Sequence, residues 1–178
     1  ELAGAEVELV QLSDRDERLK NILKNQKDNY DFIIIDCPPS LSMLTINALC
    51  CAVGVIVPMQ CEYFAMEGLT DLVGSMKRIQ AAKNPDLTLI GLLRVMFDPR
   101  VTLQQQVSEQ LKEYFGDKVF KTVIPRNVRL AEAPSFGLPG VLYDKSSKGA
   151  LAYQTLGVEF LKRMKKYKKS LKEKKDGR

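Results

Sequence analysis

Asp31-Phe32-Ile33-Ile34-Ile35-Asp36-Cys37-Pro38-Pro39-Ser40-Leu41 decides how the rest of this chain is read. Four apolar residues in succession, three of them β-branched, predict a strand buried on both faces, as a parallel sheet requires. Pro38 and Pro39 end it, because neither can donate a ladder hydrogen bond. The strand thus delivers the Asp36 carboxylate at its C-terminal end, where open α/β sheets take their ligands. An acid so placed suits nucleotide hydrolysis, in which such a group holds Mg²⁺, usually through water. Aspartate at a strand end also has a structural use, capping the next helix. The neighbouring segments must decide between the two.

Outward from that strand, helical and strand patterns alternate, which argues for α/β with a mainly parallel sheet flanked by helices. Ser13 or Asp14 can cap a charged helix reaching about Lys27. Another helix starts at Ser40 or Ser42 and keeps Leu41, Leu44, Ala48 and Cys51 on one face. Residues 53–57 read as a second buried strand ended by Pro58. A long helix from about Ala65 to Ala82 keeps Leu69, Leu72, Val73, Met76 and Ile79 in register. Leu87 to Phe97 is a third strand, and Thr102 to Phe115 a helix stopped by Gly116. Val119 to Ile124 is a fourth strand, closed by Pro125. A Pro- and Gly-containing loop follows from Pro134 to Gly140, and a last helix begins near Ser147.

The composition excludes several chemistries. The chain of 178 residues has no histidine. Ser-His and Cys-His nucleophilic mechanisms and histidine zinc sites therefore cannot be built within it. The four cysteines, Cys37, Cys50, Cys51 and Cys61, show no C-x-x-C spacing and read as reduced, partly buried thiols of a cytoplasmic protein. No apolar run approaches the ~20 residues that span a bilayer. The net charge of +5 is unevenly placed, since residues 162–178 hold ten of the 27 basic residues and two of the 22 acidic ones. The body, residues 1–161, is therefore slightly acidic, and 162–178 form a basic tail. That tail is either a solvated helix end or a contact for a polyanion, nucleic acid or anionic membrane. One part is missing from the nucleotide reading: no G-x-x-x-x-G-K-[ST] and no G-x-G-x-x-G occurs.

Five segments in fixed order resemble the ParA/Soj chromosome-partitioning ATPases, within the ParA/MinD group of deviant P-loop NTPases. They are DFIIIDCPPSLSMLTINAL, VPMQCEYFAMEGL, MFDPRVTLQQQV, VIPRNVRLAEAPSFGLP and LYDKSSKGALAY. The resemblance implies a P-loop NTPase-like sheet in which this chain begins about a third of the way along the family pattern. The first strand, the phosphate loop and the first switch would precede it, so this stretch alone would not hydrolyse ATP.

The resemblance also assigns roles. Asp36 matches the acid that holds Mg²⁺ through water. Cys37, Pro38, Pro39 and Ser40 match the second switch, which would relay the state of the γ-phosphate. Met96, Phe97 and the Pro125-Arg126-Asn127 turn match the pocket for the nucleotide base. Arg100, Arg126 and Arg129 lie in matched basic loops and are candidates for phosphate contacts to DNA, with ion pairing as the plainer use. Gln60, Glu62 and Gly68 belong to a family signature; Gly68 is expected to permit close helix packing.

The function implied is an ATP-switched homodimer, cytoplasmic and associated with the nucleoid, that binds DNA without sequence preference. It would use ATP and Mg²⁺ and answer to a ParB-like partner in chromosome or plasmid partition. One alternative is a MinD-like positioning ATPase on a membrane, for which Phe160, Met164, Tyr167 and Leu171 would form the interfacial stripe. Another is a binding module or remnant without nucleotide. The partition reading expects no membrane.

Overall fold

The computed structural model describes residues 2–176, and their side chains apart from those of 2, 3, 170–172 and 174–176. Eight α-helices and three strands follow in chain order among the described residues: α1 Leu2–Val10, α2 Arg18–Leu23, α3 Met43–Cys51, β1 Gly54–Met59, α4 Ala65–Ala82, β2 Thr88–Phe97, α5 Thr102–Phe115, β3 Val119–Pro125, α6 Val128–Glu132, α7 Gly140–Tyr143 and α8 Lys148–Asp176. The strands form one sheet in the order β1-β2-β3, and β2 runs parallel to β3. The expected α/β class holds. The chain divides into two compact units, Glu1–Val55 with Leu69–Leu89, and Ile56–Gly68 with Ile90–Arg178.

In the first unit, Leu49, Met76 and Leu87 form a buried cluster that Leu72, Ile79 and Leu89 pack against. This is the apolar stripe read from α4. The Asn84 amide closes the end of α3, donating to the carbonyls of Leu49 at 2.9 Å and Ala52 at 2.7 Å. Such donation satisfies carbonyls that a helix end leaves open.

The expected strand over residues 31–36 is absent. Residues 31–38 carry no regular secondary structure, and Ile34 is 85% exposed. β-Branched residues favour extended backbone, but a strand exists only through ladder partners and cover on its faces. No described segment supplies a ladder to this one. The helix expected from Ser13 or Asp14 to Lys27 shrinks to α2, with turns on both sides. Pro58 does not end its strand. β1 continues to Met59, and its place at the edge of the order β1-β2-β3 tolerates a residue without N–H.

In the second unit, β2 and β3 meet at Leu92↔Val119, Arg94↔Val123 and Phe97↔Pro125, with irregularities between these pairs. Helix α8 covers them through a core of Ile90, Leu93, Phe120, Ile124 and Met164, flanked by Leu156, Phe160 and Tyr167. Phe120, Leu92 and Leu111 are fully buried, each contributing about 1.5–3 kcal/mol. Gly91 is required by proximity: a Cβ there would lie 2.6 Å from the Phe120 ring and 2.8 Å from the Lys118 carbonyl.

β3 is an edge strand, and α8 supplies what a further strand would have. The Glu159 carboxylate accepts from the N–H groups of Lys121 (2.9 Å) and Thr122 (2.8 Å) and from the Thr122 hydroxyl (2.7 Å). Arg163, one turn on, donates to Glu159 at 3.0 Å and to the carbonyls of Asp117 (2.7 Å), Val119 (2.8 Å) and Ile90 (3.2 Å). Its guanidinium lies 4.2 Å from the centre of the Phe120 ring.

Burial alone would raise the Glu159 pKa. The hydrogen bonds from Thr122, Lys121 and Arg163 outweigh it and hold the group at about 2, below the ordinary 4.5. Because the folded value is depressed, this carboxylate stabilises the fold fully above pH 4.5 and loses that effect as pH falls towards 2. Urea titrations should show Glu159→Ala less stable by roughly 2–4 kcal/mol at neutral pH, since Arg163 and two amides lose their acceptor. Glu159→Gln should lose less, and its stability should fall less steeply with acid across that window.

Candidate functional site

The C-terminal ends of β2 and β3 bring together two segments singled out in the sequence. Phe97 faces Pro125 in the strand register, so Met96 and Phe97 stand beside the Pro125-Arg126-Asn127 turn. Met96 has φ = 51°, a left-handed backbone rare for a side chain other than asparagine or aspartate. It is 52% exposed, so core packing does not fix it there. Asn127 caps α6, its side-chain oxygen accepting from the Leu130 N–H at 3.3 Å. The result is an open apolar rim, Met96 and Phe97, with backbone polar groups and a cation, Arg126, next to it. Such a rim suits a flat, partly polar ring.

Beneath it lies Arg94, 4% exposed. It donates to the Ser108 hydroxyl at 2.7 Å and the Phe120 carbonyl at 2.8 Å, and its guanidinium is 6.0 Å from the Phe97 ring centre. Burial pushes its pKa down, partly offset by Cys61 and Glu159. Among the described residues its Nε has no hydrogen-bond partner. Sequence reading did not find this residue, because an arginine inside an apolar strand pattern gives no local sign of what it will meet.

The three candidate arginines differ in their surroundings. Arg100 is paired with Asp98 through two prongs, Nε to Oδ1 at 3.0 Å and Nη2 to Oδ2 at 2.7 Å. Hydrogen bonds from Arg100 hold the Asp98 carboxyl at about 2. Arg129 pairs with Glu132 at 3.0 Å and with Asp144 at 3.5 Å. Arg126 is exposed and makes no ion pair with the described residues. Arg100 and Arg129 are thus engaged in ion pairs.

The SSKG segment props the same turn. Ser147 starts α8, its hydroxyl accepting from the Ala150 N–H at 3.1 Å. A Cβ on Gly149 would come within 2.5 Å of Leu130 and 3.2 Å of Asn127. Only glycine lets α8 approach the Asn127 cap this closely. Gly68 is a different case. A Cβ there would meet nothing within 4 Å, so the close packing expected of it is not found among the described residues.

Asp36, Cys37, Pro38, Pro39 and Ser40 are all exposed and lie outside regular structure. The Cys37 sulfur is 3.9 Å from the Ile35 carbonyl, and burial, then the Asp36 charge, raise its pKa. All four cysteines are free thiols. Where this segment enters α3, two unforeseen residues anchor it. Glu6 accepts the Met43 N–H at 3.0 Å. Buried Asn47 donates to the carbonyls of Arg15 (2.6 Å) and Met43 (3.0 Å) and accepts from the Leu19 N–H (3.2 Å). Apart from the bond to Met43, these contacts join residues 28 to 37 positions apart, which is why residue patterns alone do not show them.

A family model described as an AAA domain matches residues 1–89, half of the chain. The sporulation initiation inhibitor protein Soj of Bacillus subtilis is 55% identical over 159 residues, 89% of this chain and 63% of that protein. The chromosome-partitioning ATPase Soj of Treponema pallidum is 53% identical over 163 residues, 92% of this chain and 64% of that one. The chromosome partitioning protein ParA of Myxococcus xanthus is 50% identical, with 92% and 58% covered. Among solved structures, the cobyrinic acid a,c-diamide synthase of Mycobacterium smegmatis with bound ADP and magnesium superposes with a TM-score of 0.75 at 35% identity, over 92% of this chain and 60% of that one. The chain spans a little under two thirds of the length of these relatives.

Gly149→Ala should push Leu130 and Asn127 out of place. A thermal or urea melt should show a loss of roughly 1–3 kcal/mol, as overpacking gives elsewhere. Gly68→Ala, in open space inside α4, should be neutral or slightly stabilising.

Proposed function

This chain belongs to the AAA-domain family, in its ParA/Soj chromosome-partitioning ATPase branch, and from that premise we propose that its protein is an ATP-switched, DNA-binding partition ATPase. The observation that carries this reading is the pairing of Phe97 with Pro125, which makes one rim of the two segments matched to a base pocket. In this reading Met96, Phe97 and the Pro125-Arg126-Asn127 turn hold the purine of ATP. Asp36 holds Mg²⁺ through water, and Cys37 to Ser40 form the switch that follows it. Bound metal would neutralise phosphate charge. The fit is chemical: Asp36 is exposed, and a single carboxylate suits an ion that keeps most of its water.

ATP would bring two copies together, the dimer would hold DNA without sequence preference, and a ParB-like partner would trigger hydrolysis and release. The protein would then sit in the cytoplasm on the nucleoid. Chromosome and plasmid cargo both suit this reading. It is a switch whose ligand selects a state.

The membrane alternative gains no support from α8. Phe160, Met164 and Tyr167 pack on the sheet core and are not free to enter a bilayer surface. The Leu171 side chain lies outside the described residues. No helix among the described residues is long and apolar enough to cross a membrane.

Calorimetry of the whole protein with ATP and Mg²⁺ tests the reading. Phe97→Ala should weaken ATP binding by about tenfold, as loss of one aromatic wall of a ligand pocket would. Asp36→Asn should abolish turnover while leaving nucleotide binding measurable without metal. Full turnover by Asp36→Asn, or no heat of ATP binding by the unmodified protein, would overturn the assignment.

A further inference from the structure

We propose that Asp98 sets how tightly the loop after β2 holds a DNA backbone, by masking Arg100 until a phosphate group competes for that guanidinium. The inference rests on the reading of Arg100 and Arg126 as phosphate contacts.

The geometry shows a carboxylate placed for its neighbour's charge. Asp98 Oδ1 accepts from the Arg100 backbone N–H at 3.0 Å, a turn that asparagine would serve as well. Oδ2 adds nothing to that turn and meets the Arg100 guanidinium at 2.7 Å, the second prong of a two-pronged pair. The Asp98 N–H donates to Gln104 Oε1 at 2.7 Å, which ties the residue to the first turn of α5. The carboxylate is therefore fixed while the cation it holds stands in water. The Arg100 side chain is 88% exposed and that of Asp98 24%.

A guanidinium so exposed would be an open phosphate contact were it not covered. Paired with Asp98, it offers DNA no net charge. Arg126, at the end of the neighbouring strand, lacks such a partner among the described residues, and its charge reaches Asp98. The two loops thus hold one open cation and one covered cation side by side. A phosphate diester drawn to Arg126 would compete with Asp98 for Arg100, and the strength of that competition sets the affinity.

The test is binding of the whole protein to random-sequence duplex DNA across a salt series, with ATP and Mg²⁺. Asp98→Asn keeps the turn and removes the mask. It should tighten binding about three- to tenfold at low salt and steepen the dependence of log K on log salt by roughly 0.9, one added phosphate contact. Arg100→Ala alone uncovers the Asp98 carboxylate and should weaken binding, about two- to fivefold at low salt; in the Asp98→Asn background it should erase the gain, a coupling seen as non-additivity. Arg126→Ala should weaken binding in every background. If Asp98→Asn leaves affinity and slope unchanged while Arg126→Ala weakens binding, the masking idea fails alone. If Arg126→Ala is also without effect, the DNA reading of these loops fails with it. A gain in Asp98→Asn that survives Arg100→Ala would likewise overturn the masking role.

Discussion

An ion pair one helical turn apart, Glu159 and Arg163, governs the second unit. β3 closes the sheet order, and an edge strand needs partners for donors and acceptors that no further strand among the described residues supplies. Glu159 takes the donors and Arg163 the carbonyls, and both come from the helix that also brings the apolar cover. The pair is half dry, with side chains 16% and 19% exposed, so its geometry matters more than that of a surface pair. Fixing β3 also fixes Pro125 opposite Phe97 and sets the Asn127 cap against Gly149. The rim described at the strand ends is in that sense a product of α8.

Charge along the chain has two scales. The excess of lysine in residues 162–178 makes the high pI, while Arg100 and Arg129 in the loops near the strand ends are balanced locally by aspartate or glutamate. Counting arginines in those loops overstates their reach to a polyanion. On α8 the inner face is spent on the core, and exposed Lys162, Lys165, Lys166 and Lys169 lie outside it. A solvated helix face and a polyanion contact use the same residues. Proximity to other cations is what could distinguish them.

Helical period was legible where one face was to be buried by near neighbours. α4 and α5 have the bounds that their apolar spacing and stop signals give, and β2 and β3 lie where apolar, β-branched runs place them. Residues 31–36 show the limit. The three isoleucines carry a strong preference for extended backbone, but a ladder is a property of two segments, and nothing in one segment states whether its partner is at hand. Short α6 and α7 were missed because four or five residues hold no period. The anchors at Asn47, Arg94 and Glu159 join residues 14 to 38 positions apart, beyond any local pattern. For the site, resemblance pointed to the segments, and pairing at Phe97 and Pro125 put two of them on one rim.

Met96 carries a side chain where glycine would sit without effort. A left-handed backbone costs an ordinary residue about 1–2 kcal/mol, and an exposed thioether repays little of that through burial. Glycine at this position would fold at lower cost. At that peptide unit the easiest sequence for this chain to fold is not the one it has.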